Sequence, residues 1–117
     1  LAADVGYVVN PDGGRNQIEG SAIQSTSWTL KERVRFDRRR VTSDDWETYP
    51  ILTFSEVPIV DVRLLPRPAE APLGAGEASQ GPTAGAIGNA LADALGVRVR
   101  QLPLTQDAVV RAIESDG

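Results

Sequence analysis

The 117-residue chain reads as α+β: a small mixed sheet with two main helices packed on it. Three observations predict this. Ile87, Leu91 and Leu95 recur four apart in an alanine-rich run that Pro82 opens and Gly96 closes, a helical spacing with its start and stop signals. Ile18, Ala22, Ile23, Trp28 and Leu30 give a second, less regular helical spacing over about 15–31. Leu1 to Asn10 and Val57 to Leu65 are short apolar runs rich in β-branched residues, as strands require.

Taken in order, the first strand closes at Asn10-Pro11-Asp12-Gly13-Gly14, which reads as a turn. The first helix follows, with Gly20 and Ser21 lowering its propensity while letting another backbone come close. Arg33–Phe36 and Val41–Ser43 predict a β-hairpin with Asp37–Arg40 at its tip. Trp46–Pro58 carries two prolines and predicts an irregular connection. Val57–Leu65 alternates as a strand with one covered face. Pro66–Gly81, rich in Pro, Gly and Ala, is a long loop, and the second helix spans 82–95. Val97–Leu102 is a short extended piece, and Thr105 is placed to cap a last helix to about Glu114.

Composition narrows the chemistry. With no cysteine and no histidine, the chain offers no thiolate site, no iron–sulfur ligation and no imidazole base. Proton transfer falls to Asp, Glu, Lys or Tyr. A net charge of −4 argues against nucleic acid as a partner, and no apolar run approaches the roughly 20 residues of a membrane span. No signal peptide is visible. The chain has no methionine and opens on an apolar segment, so it is expected to be a piece of something longer.

Glu77 stands alone as an acid in the glycine-rich stretch Pro72–Pro82, just before the second helix. Two roles fit that placement. One is a helix-terminus acid stabilised by the macrodipole, worth about 0.3–1 kcal/mol. The other is a general base in a mostly apolar surrounding, where desolvation raises a carboxyl's pKa while the helix field opposes it. Gly74, Gly76 and Gly81 do not fit a dinucleotide fingerprint, and no Gly-Lys-Ser/Thr of a phosphate-binding loop is present. Gln17 and Gln24, seven apart, share a face of the first helix, either as solvated polar groups or as amides reaching into a polar cofactor site. The basic run Lys31–Arg40, interleaved with Glu32 and Asp37, reads as a solvated tip, with docking of an acidic partner as the alternative.

Several motifs in one order carry more. Asp4-Val5-Gly6, Val9-Asn10-Pro11, Gln17-Ile18-Glu19-Gly20, Gln24 and Trp28 come first. Trp46-Glu47-Thr48-Tyr49-Pro50, Phe54-Ser55-Glu56-Val57-Pro58, Gly76-Glu77 and Gly81-Pro82-Thr83 follow, then Ala86-Ile87, Asn89-Ala90 and the ending Val97–Thr105. This series resembles the C-terminal segment of the molybdopterin-binding large subunit of the molybdenum hydroxylases, the xanthine dehydrogenase and aldehyde oxidase family. It looks closest to the bacterial branch of nicotinate dehydrogenase, isoquinoline 1-oxidoreductase and related aldehyde dehydrogenases.

The resemblance implies that residues 1–117 are the C-terminal piece of a larger molybdopterin-binding domain. It implies Glu77 as the general base and Gln17 as a contact to the pterin, in its cytosine dinucleotide form, with no metal ligand in this chain. A water-derived oxygen would be placed on an aldehyde or N-heteroaromatic carbon, and electrons would leave through an iron–sulfur small subunit. The remainder of the large subunit would be a further partner, and the 117 residues alone would be inactive and hold no cofactor. The competing expectation is a free-standing, non-catalytic α+β partner-binding module. The upstream reading frame separates them, since several hundred residues with glycine-rich pterin motifs belong only to the first. The compartment is left open.

Overall fold

The structure, a computed structural model, describes residues 1–116. Helix α1 spans Pro11–Leu30 and begins four residues earlier than expected. Asn10, taken in the sequence for part of a turn, is its N-cap: the side-chain oxygen accepts the Gly13 N–H at 3.0 Å, and Pro11 follows at the first helical position. Much of its buried side is hydroxyl rather than hydrocarbon, with Ile18, Ser21, Ala22, Ser25, Ser27 and Thr29 turned inward.

The sheet is smaller than predicted and is parallel, not mixed. Strands β1 (Ala2–Ala3) and β2 (Arg63–Leu64) pair Ala2 with Arg63 and Ala3 with Leu64. Gly6 ends the first strand early. Its φ of +68° turns the chain, and a Cβ there would stand 2.0 Å from the Ala71 carbonyl oxygen. Residues 4–7 then run beside 70–73: the Leu73 N–H donates to the Val5 carbonyl at 2.8 Å and the Tyr7 N–H to that of Glu70 at 3.2 Å. In the second predicted strand Ile59 is fully exposed, and the alternation of half-buried and exposed residues that the sequence predicts runs from Val60 to Leu65. Pro58 contributes no amide to a ladder there.

The predicted hairpin is present in minimal form, an antiparallel bridge from Phe36 to Val41. Asp37 at its tip accepts the Arg39 and Arg40 amides at 2.6 and 2.9 Å, which holds its carboxyl below the usual range. Helix α2 covers Gln80–Leu95 and stops at Gly96, whose φ of +73° is the left-handed cap that the sequence predicts. It lies along α1, which in turn contacts β2. Helix α3 spans Gln106–Asp116; the Thr105 hydroxyl accepts the Ala108 N–H at 3.3 Å, and the Leu104 N–H donates to the Thr29 carbonyl at 2.7 Å. Residues 98–100 are irregular, with no strand pairing.

The apolar core among the described residues is thin: Val5, Ile18, Ala22, Leu104 and Ala108. A radius of gyration of 17.3 Å exceeds the ~13 Å of a compact chain this long. Trp46, Phe54 and Ile59 stay exposed. No helix among the described residues is long and apolar enough to cross a membrane.

A 3₁₀ turn at Phe54–Glu56 is fastened to the end of α1. Glu56 accepts from Lys31 Nζ at 2.7 Å and from the Thr53 amide and hydroxyl, each at 2.8 Å. Lys31 first, and Thr53 after it, lower the Glu56 pKa from 4.5 to about 2. Because the folded value is depressed, the stabilisation is complete above about pH 4.5 and disappears as pH falls towards 2. Replacing Lys31 by Met should flatten this acid limb, read from unfolding midpoints across that window.

Candidate active site

The site forms where the turn at residues 76–79 meets α1. Gln17, Ile18, Ser21 and Ser25 fall at i, i+1, i+4 and i+8, which puts them on one face of α1. The turn docks there through Ser79, which is 4% exposed. Its hydroxyl donates to the Ile18 carbonyl at 2.8 Å and shares a hydrogen bond with the Ser21 hydroxyl. The Ser21 hydroxyl also reaches the Ile18 carbonyl, at 3.3 Å, so both serines converge on one acceptor and the shorter bond to it is that of Ser79. One turn further along, the Ser25 hydroxyl donates to the Gln80 carbonyl at 2.6 Å. The Gln80 side-chain amide donates to the Gln24 side-chain oxygen at 3.1 Å, so Gln24 reaches across the helix seam.

This docking brings the two sequence-predicted site residues to one place. A Cβ on Gly76 would stand 3.2 Å from Gln17 Oε1, so the turn backbone lies close against the end of the Gln17 side chain. Glu77 follows directly and is exposed. Its main-chain carbonyl accepts the Gln80 N–H at 3.1 Å, while its carboxylate takes no hydrogen bond among the described residues. The capping bond that a helix-terminus acid would make is therefore missing.

Behind the turn, β1 and the adjoining residues shape a cavity of about 240 Å³ lined by Ala3, Val5, Ile18, Ala78 and Ser79. Asp4, at its edge, accepts from Arg67 Nε at 2.9 Å and from the Gly6 amide at 3.3 Å. Arg67 before Gly6 holds the Asp4 carboxyl below its ordinary value. The ion pair helps fix residues 4–7 against the segment that leads into the Glu77 turn.

The serine pair is what sequence reasoning missed. A serine just before a helix reads as its cap, yet the Ser79 side chain makes no capping bond to α2. Its partner lies 61 residues away, and no local pattern signals it. No group of three potential metal ligands occurs among the described residues. This part of the surface carries an exposed carboxylate and an exposed amide able to donate and accept, suited to an organic ligand's heteroatoms and an exchangeable proton.

Residues 1–58 match the model of the molybdopterin cofactor-binding domain family. The whole chain is 51% identical to a nicotinate dehydrogenase subunit of Pseudomonas putida, of which it spans 10%. Over 88% of its length it is 37% identical to the beta subunit of isoquinoline 1-oxidoreductase from Brevundimonas diminuta, covering 13% of that protein. The crystal structure of quinoline 2-oxidoreductase from Pseudomonas putida superposes on 97% of the chain with a TM-score of 0.80 at 30% identity, the match taking in 15% of that chain.

Proposed function

This chain belongs to the molybdenum hydroxylase family, in its molybdopterin-binding subunit, and from that premise we propose that it supplies the catalytic glutamate of a larger enzyme. Within that enzyme Glu77 would act as general base in placing a water-derived oxygen on an aldehyde or N-heteroaromatic carbon. Molybdopterin, in its cytosine dinucleotide form, would supply the redox centre when bound. The observation that carries the reading is the close approach of Gly76 to the Gln17 amide, which brings the backbone next to Glu77 against Gln17.

The chain's residues fit the organic part of such a cofactor and not its metal. Gln17 is exposed, and its amide presents two donors and an acceptor with which to hold and orient the pterin edge. Glu77, with no internal hydrogen bond holding its carboxylate, is free to accept a proton from the attacking oxygen. The polypeptide beyond this chain would bury the site, the rest of the large subunit would complete the cofactor cradle, and an iron–sulfur small subunit would receive the electrons. The 117 residues by themselves would be inactive.

Cofactor content of the complete parent tests this. Gln17→Leu should weaken cofactor retention by ~1–3 kcal/mol, the cost of leaving polar partners unpaired, and appear as lost molybdenum and pterin in purified protein. Glu77→Gln should keep both at the parent's content. A Gln17→Leu protein that stays fully loaded through dilution and dialysis would show that Gln17 makes no such contact.

A further inference from the structure

We propose that Ser79 is a positioning residue for Glu77, its buried hydroxyl fixing the Glu77 turn to the α1 face that carries Gln17. The inference rests on the reading of Glu77 as the base. Ser79 is two residues from Glu77 and Ile18 is next to Gln17, so the 2.8 Å bond between them ties the chain at the base to the chain at the amide. Ser21 reinforces it by bonding the same hydroxyl. The main chain of the turn closes on itself, with the Gln80 N–H bonded to the Glu77 carbonyl at 3.1 Å and the Thr83 hydroxyl to the Ser79 carbonyl at 2.6 Å. Whatever shifts Ser79 therefore shifts Glu77 with it.

A purely structural serine at this position would be expected to cap α2, its most common use. Ser79 stands at the cap with a right-handed backbone (φ −92°, ψ −5°) and turns its side chain to α1 instead. Ser25 provides an internal comparison. It is equally buried and bonds α2's first carbonyl at 2.6 Å, but from the far side of Gln80, away from Glu77. Loss of the Ser79 hydroxyl removes its bonds to Ile18 and Ser21 and loosens the base; loss at Ser25 removes a single bond, to Gln80.

The test uses the complete, cofactor-loaded parent, with nicotinate as the first substrate probe and benzaldehyde as the second. Ser79→Ala should lower kcat on the order of 10- to 100-fold, the range that follows a misplacement of about 1 Å, with KM and cofactor content unchanged. The acid limb of its pH–rate profile should move, as it reports the base. Ser25→Ala should keep the parent's rate and profile. In a Glu77→Gln background Ser79→Ala should add no further loss, since a residue acting through the base has nothing left to act on.

Equal effects at Ser79 and Ser25, or a Ser79 loss that persists in full on the Glu77→Gln background, would overturn the proposal. Should Ser79→Ala assemble without cofactor, Ser79→Cys replaces it: the thiol fills the same space but is a weak donor to the Ile18 carbonyl, and a loaded protein of parental rate would likewise overturn the proposal. Parental turnover in Glu77→Gln alone would instead remove the assignment of the base. A slow Glu77→Gln with a normal Ser79→Ala would remove only the positioning role.

Discussion

Replacing Glu77 by Gln in the complete parent protein is expected to slow its reduction by substrate about 10²–10⁴-fold, or roughly 3–5 kcal/mol of barrier. Glutamine keeps the size of the side chain and its hydrogen bonding but cannot hold the proton. Folding should be unaffected, because the carboxylate is exposed and makes no hydrogen bond among the described residues. Rapid mixing of the loaded protein with substrate measures the step directly, before electrons pass to any partner. If the acid merely stabilised the start of α2, the pattern would reverse: a slightly lower melting temperature with nearly normal reduction. A rate within a few-fold of the parent rules out Glu77 as the base.

Gly6→Ala should be the most damaging small substitution for the fold. Alanine at φ +68° costs ~1–2 kcal/mol, and forcing a methyl into packed structure typically another ~1–3 kcal/mol. Here the obstruction is main chain, the Ala71 carbonyl oxygen at 2.0 Å and its carbon at 2.9 Å, so no side-chain rotation relieves it. A total of roughly 2–5 kcal/mol follows. Gly74→Ala, with nothing within 4 Å of the added carbon, serves as the control and should leave stability close to the parent's. Thermal unfolding of the two variants distinguishes them, and equal melting temperatures would contradict the account of Gly6.

Helix α2 was the most legible element because its signals are local. Leucine spacing and a glycine stop specify it without reference to the rest of the chain, and Gly96 adopts the left-handed conformation that the stop requires. The start of α1 was equally encoded but misread. Asn10-Pro11 is a cap followed by a first-turn proline, and the two glycines after it suggested a turn. The strands failed for a different reason. Apolar, β-branched runs report burial on some face, but pairing depends on where the chain bends, and Gly6 decides that against a carbonyl 65 residues away.

The site divides in the same way. Glu77 and Gln17 were singled out through an ordered series of motifs, a signal spread over the whole chain. Their juxtaposition was not, because it depends on hydroxyls of α1 meeting a turn some sixty residues later. Serines at 21, 25 and 79 look unremarkable in sequence, since serine is common in turns and at helix ends alike. Gln24 adds a partner that its spacing from Gln17 did not suggest, the Gln80 side-chain amide.

The Glu77 turn behaves as a span with both abutments set in place. On one side the Leu73 amide is anchored to Val5; on the other the Ser79 hydroxyl is anchored to Ile18. Between them Gly74 has open space for another side chain, while the count of residues from 74 to 78 sets how far the turn reaches. Adding or removing one residue would strain an anchor or carry the carboxylate off the α1 face, whatever residue was involved. What this part of the chain holds constant is a length, and the distance over which Glu77 can reach is written in that count as much as in its chemistry.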